Sequence, residues 1–257
     1  MALEILINKK CKFKEENSEE FIMNLMKKSF AVDILPQYIA TQADCSIEDA
    51  IKIPISFEAF GMDNISILDL KHEIENSMIW SKDCNNCNAN ISKRNFGCYN
   101  RISYPISEEF EETLVKNYPE KGSIAYELFL HAVKDFTEAS NTSIDFRKSG
   151  YLESKIEKSV KIKDSFLKSE TFSSNFLLGL ILFSGSSLTP HHNKIILLFL
   201  GFFDKKLTMD ELRDEEYIKS ILSKKIHNHH FSNTNESDLI NILIFSVIEN
   251  ISLSIDV

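Results

Sequence analysis

The chain has 257 residues, 43% of them hydrophobic and 26% charged, and a formal net charge of -9. That length sustains one large domain or two small ones without a disulfide staple, and its 19 Phe supply too much apolar surface for a disordered chain. The acidic balance disfavours general nucleic-acid binding, and the scarcity of turn formers, 7 Gly and 5 Pro, argues against an all-β fold.

The first hundred residues mix short strands with helices. Leu3–Asn8 alternates weakly, as a strand does. Phe21 and Leu25, behind two Glu that suit a first turn, predict a helix. Ser46 stands as an N-cap before an acidic turn. Ile51, Ile53, Ile55 and Phe57 alternate, so Ile51–Phe60 reads as a strand that Pro54 confines to an edge. Ser66 and Asp69 form a near capping box, and Ile67, Leu70, Ile74 and Met78 make one helical stripe. After Cys98, Ile102 and Tyr104 alternate up to Pro105, and Ser107 caps a helix in which Phe110 and Leu114 share a face.

From Glu108 onward the pattern is almost wholly helical. Gly122–Ala139 reads as one helix, while the stretch from Thr142 to Ser169 has no clean period. Phe176–Phe183 and Ile195–Phe203 are apolar all round, as central helices are. Thr189 followed by Pro190 is a strong helix start. Thr208 and Glu211 occupy capping-box positions, and Asn235–Leu253 predicts a closing apolar helix. The expected fold class is α+β, mostly α, with residues 1–107 a small mixed portion, 108–257 a helical bundle, and both packed as one unit.

One stretch carries chemistry. "KDCNNCNANISKRNFGCYN" holds Cys84, Cys87 and Cys98 of the 5 cysteines, in the spacing C-x2-C-x10-C. A tight turn lets two thiolates bind one ion, and zinc takes four Cys or His ligands at tetrahedral angles. His72, on the preceding helix, and Cys45 are the candidates for the fourth ligand. The bland alternative is a set of reduced cysteines acting as small apolar residues, but this stretch is polar and rich in turns. A redox pair works best at a helix N-terminus, and no helical pattern follows. A three-thiolate iron–sulfur cluster has no further support. The N-terminus places its charges after a short apolar run, the reverse of a secretory signal, so a cytoplasmic location with reduced thiols is expected.

The histidines form two groups. His191 and His192 fall in the first turn after Pro190, where the helix field opposes protonation, and are candidates for ligand contact. His227, His229 and His230 cluster past another helix end, as a metal pair or as a solvated loop. His131 reads as a core or boundary histidine. No His-Glu-x-x-His, glycine-rich phosphate loop or Gly-x-Ser-x-Gly elbow is present. Ser184, Ser186 and Ser187 precede a cap and read as loop residues. The lysine runs near Ser92–Gly97 and Lys158–Lys168 read as solvated faces, so no nucleic-acid partner is expected. Both apolar runs fall short of the ~20 residues that a spanning helix needs, so constitutive membrane insertion is not expected. The sequence reading is thus a cytoplasmic, non-catalytic protein-binding or regulatory module with a structural zinc site. The alternatives are a metal-dependent enzyme using a histidine group and a membrane-active effector using the apolar helical pair.

Overall fold

The structure is a computed structural model. It describes residues 2–57, 62–91, 93, 95–103, 106–135, 137–163, 169–182, 187–226 and 234–256. In chain order it opens with β1 (Ala2–Ile7), α1 (Lys12–Glu16), α2 (Glu19–Ala43) and α3 (Ile47–Ala50). The strands β2 (Pro54–Phe57) and β3 (Met62–Ser66), α4 (Ile67–Ser77) and a 3-10 helix (Met78–Asn86) follow. Next come β4 (Tyr99–Ser103), α5 (Glu108–Lys116), α6 (Ile124–Asp135), α7 (Thr137–Lys148), and the strands β5 (Ser159–Lys163) and β6 (Ser169–Ser173). The chain continues through α8 (Ser174–Leu182), β7 (Ser187–Leu188), α9 (Pro190–Phe199), α10 (Met209–Arg213), α11 (Glu215–Leu222), α12 (Thr234–Glu249) and β8 (Leu253–Asp256). The fold is α+β and mostly α. Two compact units emerge, residues 9–99 and residues 1–8 with 100–257. The first strand therefore belongs with residues 100–257, not with residues 9–99 that follow it.

The larger unit is organised by a four-stranded sheet of order β4-β1-β8-β7. β1 pairs antiparallel with β8, Glu4 opposite Asp256 and Ile7 opposite Leu253. Leu3, Ile5, Leu6 and Ile7 are all buried. Consecutive residues point to opposite faces of a strand, so β1 is covered on both faces, which explains why its alternation was weak. Both apolar runs lie in the core, with Leu177, Leu197 and Phe199 fully buried. Phe129 meets Phe172 and Phe176, each at 5.2 Å between ring centroids, and Phe176 meets Phe199 at 5.8 Å. Each such side chain contributes about 1.5–3 kcal/mol by leaving water. Among the described residues no helix is long and apolar enough to cross a membrane.

Polar locks fix this unit. Glu111, fully buried on α5, takes two bonds from the Arg147 guanidinium, at 3.0 and 2.7 Å, and one from the Ser174 hydroxyl at 2.7 Å. Arg147 also donates to the Asn175 side chain at 2.7 Å. Asn193 of α9 donates to Ser246 of α12 at 2.6 Å, and Ser246 donates to the Ile251 carbonyl. The Ser107, Thr189 and Thr208 caps form, the last as a full capping box with Glu211.

Within Gly122–Ala139 the structure describes α6 and the start of α7, and Phe136 between them lies outside the described residues. Two local expectations in this unit change. The stretch from Thr208 is cut at Asp214, whose extended backbone ends α10 and whose side chain caps α11. The stretch without a period contains β5, which pairs antiparallel with β6, Ser159 opposite Ser173 and Lys163 opposite Ser169. Its two-residue alternation, Val160 and Ile162 between Lys161 and Lys163, was hidden in a lysine run.

The unit 9–99 is built on α2 and α4. Ser18 caps α2, which runs through Pro36 and stops where Asp44 turns left-handed at φ 47. Its buried face carries Ile22, Leu25, Met26, Leu35 and Ile39, whereas Phe21 is 42% exposed and lies off the stripe assigned to it. Ser66 caps α4, which buries Ile67, Leu70 and Ile74. Lys28 of α2 pairs with Glu73 of α4 at 2.8 Å. β2 begins at Pro54 and not at Ile51, because the Ile51 N–H closes α3 on the Ile47 carbonyl.

Candidate metal centre

All five cysteines, Cys11, Cys45, Cys84, Cys87 and Cys98, fall within residues 9–99, and none is in a disulfide. α4 passes without a break into the 3-10 helix Met78–Asn86, which ends in the C-x2-C segment. This helix has 9 residues and buries none of them. Runs beyond three or four residues are uncommon in 3-10 geometry.

The segment turns tightly at the first pair of thiols. The Cys87 N–H donates to the Cys84 carbonyl at 3.1 Å, the Asn90 side chain donates to the same carbonyl at 2.9 Å, and the Asn90 N–H donates to the Cys87 carbonyl at 2.9 Å. The chain then takes left-handed backbone at Lys93 and at Phe96, φ 50 and 53. A bulky residue is seldom found there. Phe96 is 2% exposed. Its backbone N–H donates to the Cys84 sulfur. The strained turn thus aims a donor at a thiol, and an N–H of this kind favours the thiolate.

The thiols lie within one another's electrostatic reach. Burial pushes the Cys98 thiol up, Lys14 opposes the shift, and Cys84, Cys11 and Cys87 add to it. Burial also raises Cys84, against the Phe96 N–H and with contributions from Cys87, Cys11 and Asp83. Cys11, which spacing did not suggest, contributes to the shifts of both thiols. Aromatic rings line the same place. Phe13 sits 5.0 Å from Phe96 and 6.1 Å from Trp80, and Lys12 lies 5.2 Å over the Trp80 ring. Among the described residues no group of three or more His, Cys, Asp or Glu side chains stands ready-made to hold a metal ion.

Neither proposed fourth ligand adds to these shifts. His72 points to solvent, 65% exposed, beside Glu75 at 3.5 Å. Cys45 follows the C-terminal end of α2, a helix of 25 residues and ~37 Å, whereas Cys11 precedes its start.

The histidines separate. His191 lines an open cleft of about 290 Å³ with Lys194, Glu215, Glu216 and Lys219. Partial burial, then Lys194 and His192, hold its imidazole below the ordinary value. His192 instead closes the cap, its N–H donating to the Thr189 hydroxyl at 3.3 Å. His131 is exposed and not a core or boundary residue. His227, His229 and His230 lie outside the described residues, as do Ser184 and Ser186. Of the basic candidates, Lys158 is tied to Glu108 and to Glu112.

No family model, no curated protein and no solved structure matches the chain.

Proposed function

We propose that the chain is a non-catalytic protein-binding or regulatory module whose residues 9–99 carry a structural zinc site, and that it works where thiols stay reduced. What supports this reading is the C-x2-C turn, closed by the Cys87 N–H on the Cys84 carbonyl at 3.1 Å, at the end of a 3-10 helix that buries nothing of its own. A structural site of four protein ligands leaves zinc no open position for substrate, which favours scaffolding over chemistry. Ile34 and Tyr38, one turn apart on α2 and 43% and 57% exposed, are apolar surface suited to a protein partner.

Elemental analysis of the full chain, purified without chelator, tests the reading. About one zinc per chain is expected for a single closed site. A metal-free protein that keeps residues 78–98 ordered would overturn it.

A further inference from the structure

We propose that Glu236 is an acid-tightened latch in the larger unit, clamping the start of α12 to the start of α5 more firmly as the pH falls. Glu236 lies in the first turn of α12 and is 4% exposed. Its Oε1 accepts the Ser107 hydroxyl at 2.6 Å and the Ser107 N–H at 3.1 Å. Ser107 is also the N-cap of α5, and its side-chain oxygen accepts the Phe110 N–H at 3.1 Å. One serine therefore starts one helix and holds the start of another, 129 residues further along the chain.

A second carboxylate is held beside the first. The Ile106 N–H donates to the Tyr151 carbonyl and the Glu153 N–H to the Ile106 carbonyl, each at 3.1 Å, so a short parallel bridge sets Glu153 against the residues that lead into α5. The Glu153 Oε2 then accepts the Glu108 N–H at 3.2 Å. Glu236 and Glu153 thus occupy the consecutive backbone N–H groups of residues 107 and 108, where two negative charges repel. Among the described residues, the charged groups that act on Glu236 are Glu153 and Glu109 of α5, both acids. Lys158 is tied instead to Glu108 and Glu112. Burial raises the Glu236 carboxyl above its ordinary value, the two Ser107 bonds oppose the shift, and Glu109 and Glu153 add to it. A proton on Oε2 removes the buried charge and the repulsion, and it leaves both Ser107 bonds on Oε1 intact. Because the folded value lies above the unfolded one, this contribution to stability is complete below pH 4.5 and is lost as pH rises through the folded value.

Hydrogen exchange of the full chain and of Glu236→Gln, followed from pH 4.5 to about 8, tests the latch. Gln keeps an Oε1 acceptor for Ser107 and cannot ionise. After correction for intrinsic exchange rates, protection of the α12 amides in the wild type relative to the variant should be greatest at the acid end. It should fall with rising pH by about tenfold for each unit by which the folded value of Glu236 exceeds 4.5. A ratio that stays flat would overturn the proposal, and so would one that rises with pH, since Glu236 would then be a carboxylate held ionised. Should Glu236→Gln fail to fold, carbon-13 NMR titration of the Glu236 carboxyl decides. The wild type should give a midpoint above 4.5, and Glu153→Gln should lower it by removing one like charge. A wild-type midpoint at or below 4.5, or one that Glu153→Gln leaves in place, would overturn the proposal.

Discussion

Residues 9–99 and the unit formed by 1–8 with 100–257 stay ordered by different means. The larger unit has an aromatic cluster around Phe129, Phe172, Phe176 and Phe199, helices buried on all sides, and an ion pair sealed inside. The smaller one buries single faces of α2 and α4, and its last helical segment, Met78–Asn86, buries nothing. The larger unit contains no cysteine at all. Surface-to-volume scaling explains the difference, because a small unit hides a smaller fraction of its apolar surface and gains more from a cross-link. Thiols sit where the core is thin.

The strongest way to break this contrast is to remove metal. Chelation should raise amide hydrogen exchange across residues 78–98 to nearly unprotected rates, since structural zinc contributes on the order of 10 kcal/mol to small sites. Exchange in α8 and α9 should not change. Equal loosening of both units would show that the smaller one is not separately held. Next comes Arg147→Met, which strands the buried Glu111 carboxylate. Urea unfolding should show a loss of about 3–5 kcal/mol that is the same with and without chelator. A loss below ~1 kcal/mol would mean that the ion pair is not what secures α5 to α7.

Smaller effects sharpen the comparison. Gly201 has φ +76, and an added Cβ there would lie 2.5 Å from the Asn117 side chain. That side chain donates to the Leu200 carbonyl at 3.1 Å. Gly201→Ala should cost about 1–3 kcal/mol in thermal unfolding of the larger unit alone, and zinc affinity should stay constant. The smallest effect belongs to His191. Its folded value lies below 6.5, so as pH falls through 6.5 the unfolded chain takes up the proton first. Stability should therefore fall with pH from 6.5 down to the His191 folded value and then level off. His191→Gln should flatten that part of the profile, and NMR titration giving an unshifted His191 would remove the cleft from consideration.

Local signals were legible and distant ones were not. A cap is a side chain bonded to an N–H three residues on, so Ser46, Ser66, Ser107, Thr189 and Thr208 were readable as helix starts. All-round apolarity likewise placed α8 and α9 in the core. The Glu111–Arg147 pair, 36 residues apart, left no mark, because acids and bases are also what exposed faces carry. The stacking of Phe13 on Phe96 was hidden for a similar reason, since the two lie 83 residues apart (96 - 13). His72 was favoured because it was close in sequence, yet a helix of 11 residues has an outer face, and His72 is on it.

The pairing of β1 with β8 sets a timetable for the nascent chain. Asn8 meets Ser254 across 246 residues, so β1 leaves the ribosome long before β8. At ~5–20 residues per second that wait is about 10–50 s, during which Leu3, Ile5, Leu6 and Ile7 have no partner strand. Residues 9–99 need no such late arrival and can close as soon as Cys98 emerges. Synthesis would thus yield the small unit first, joined to an unpaired apolar strand that chaperones can grip until the sheet is completed.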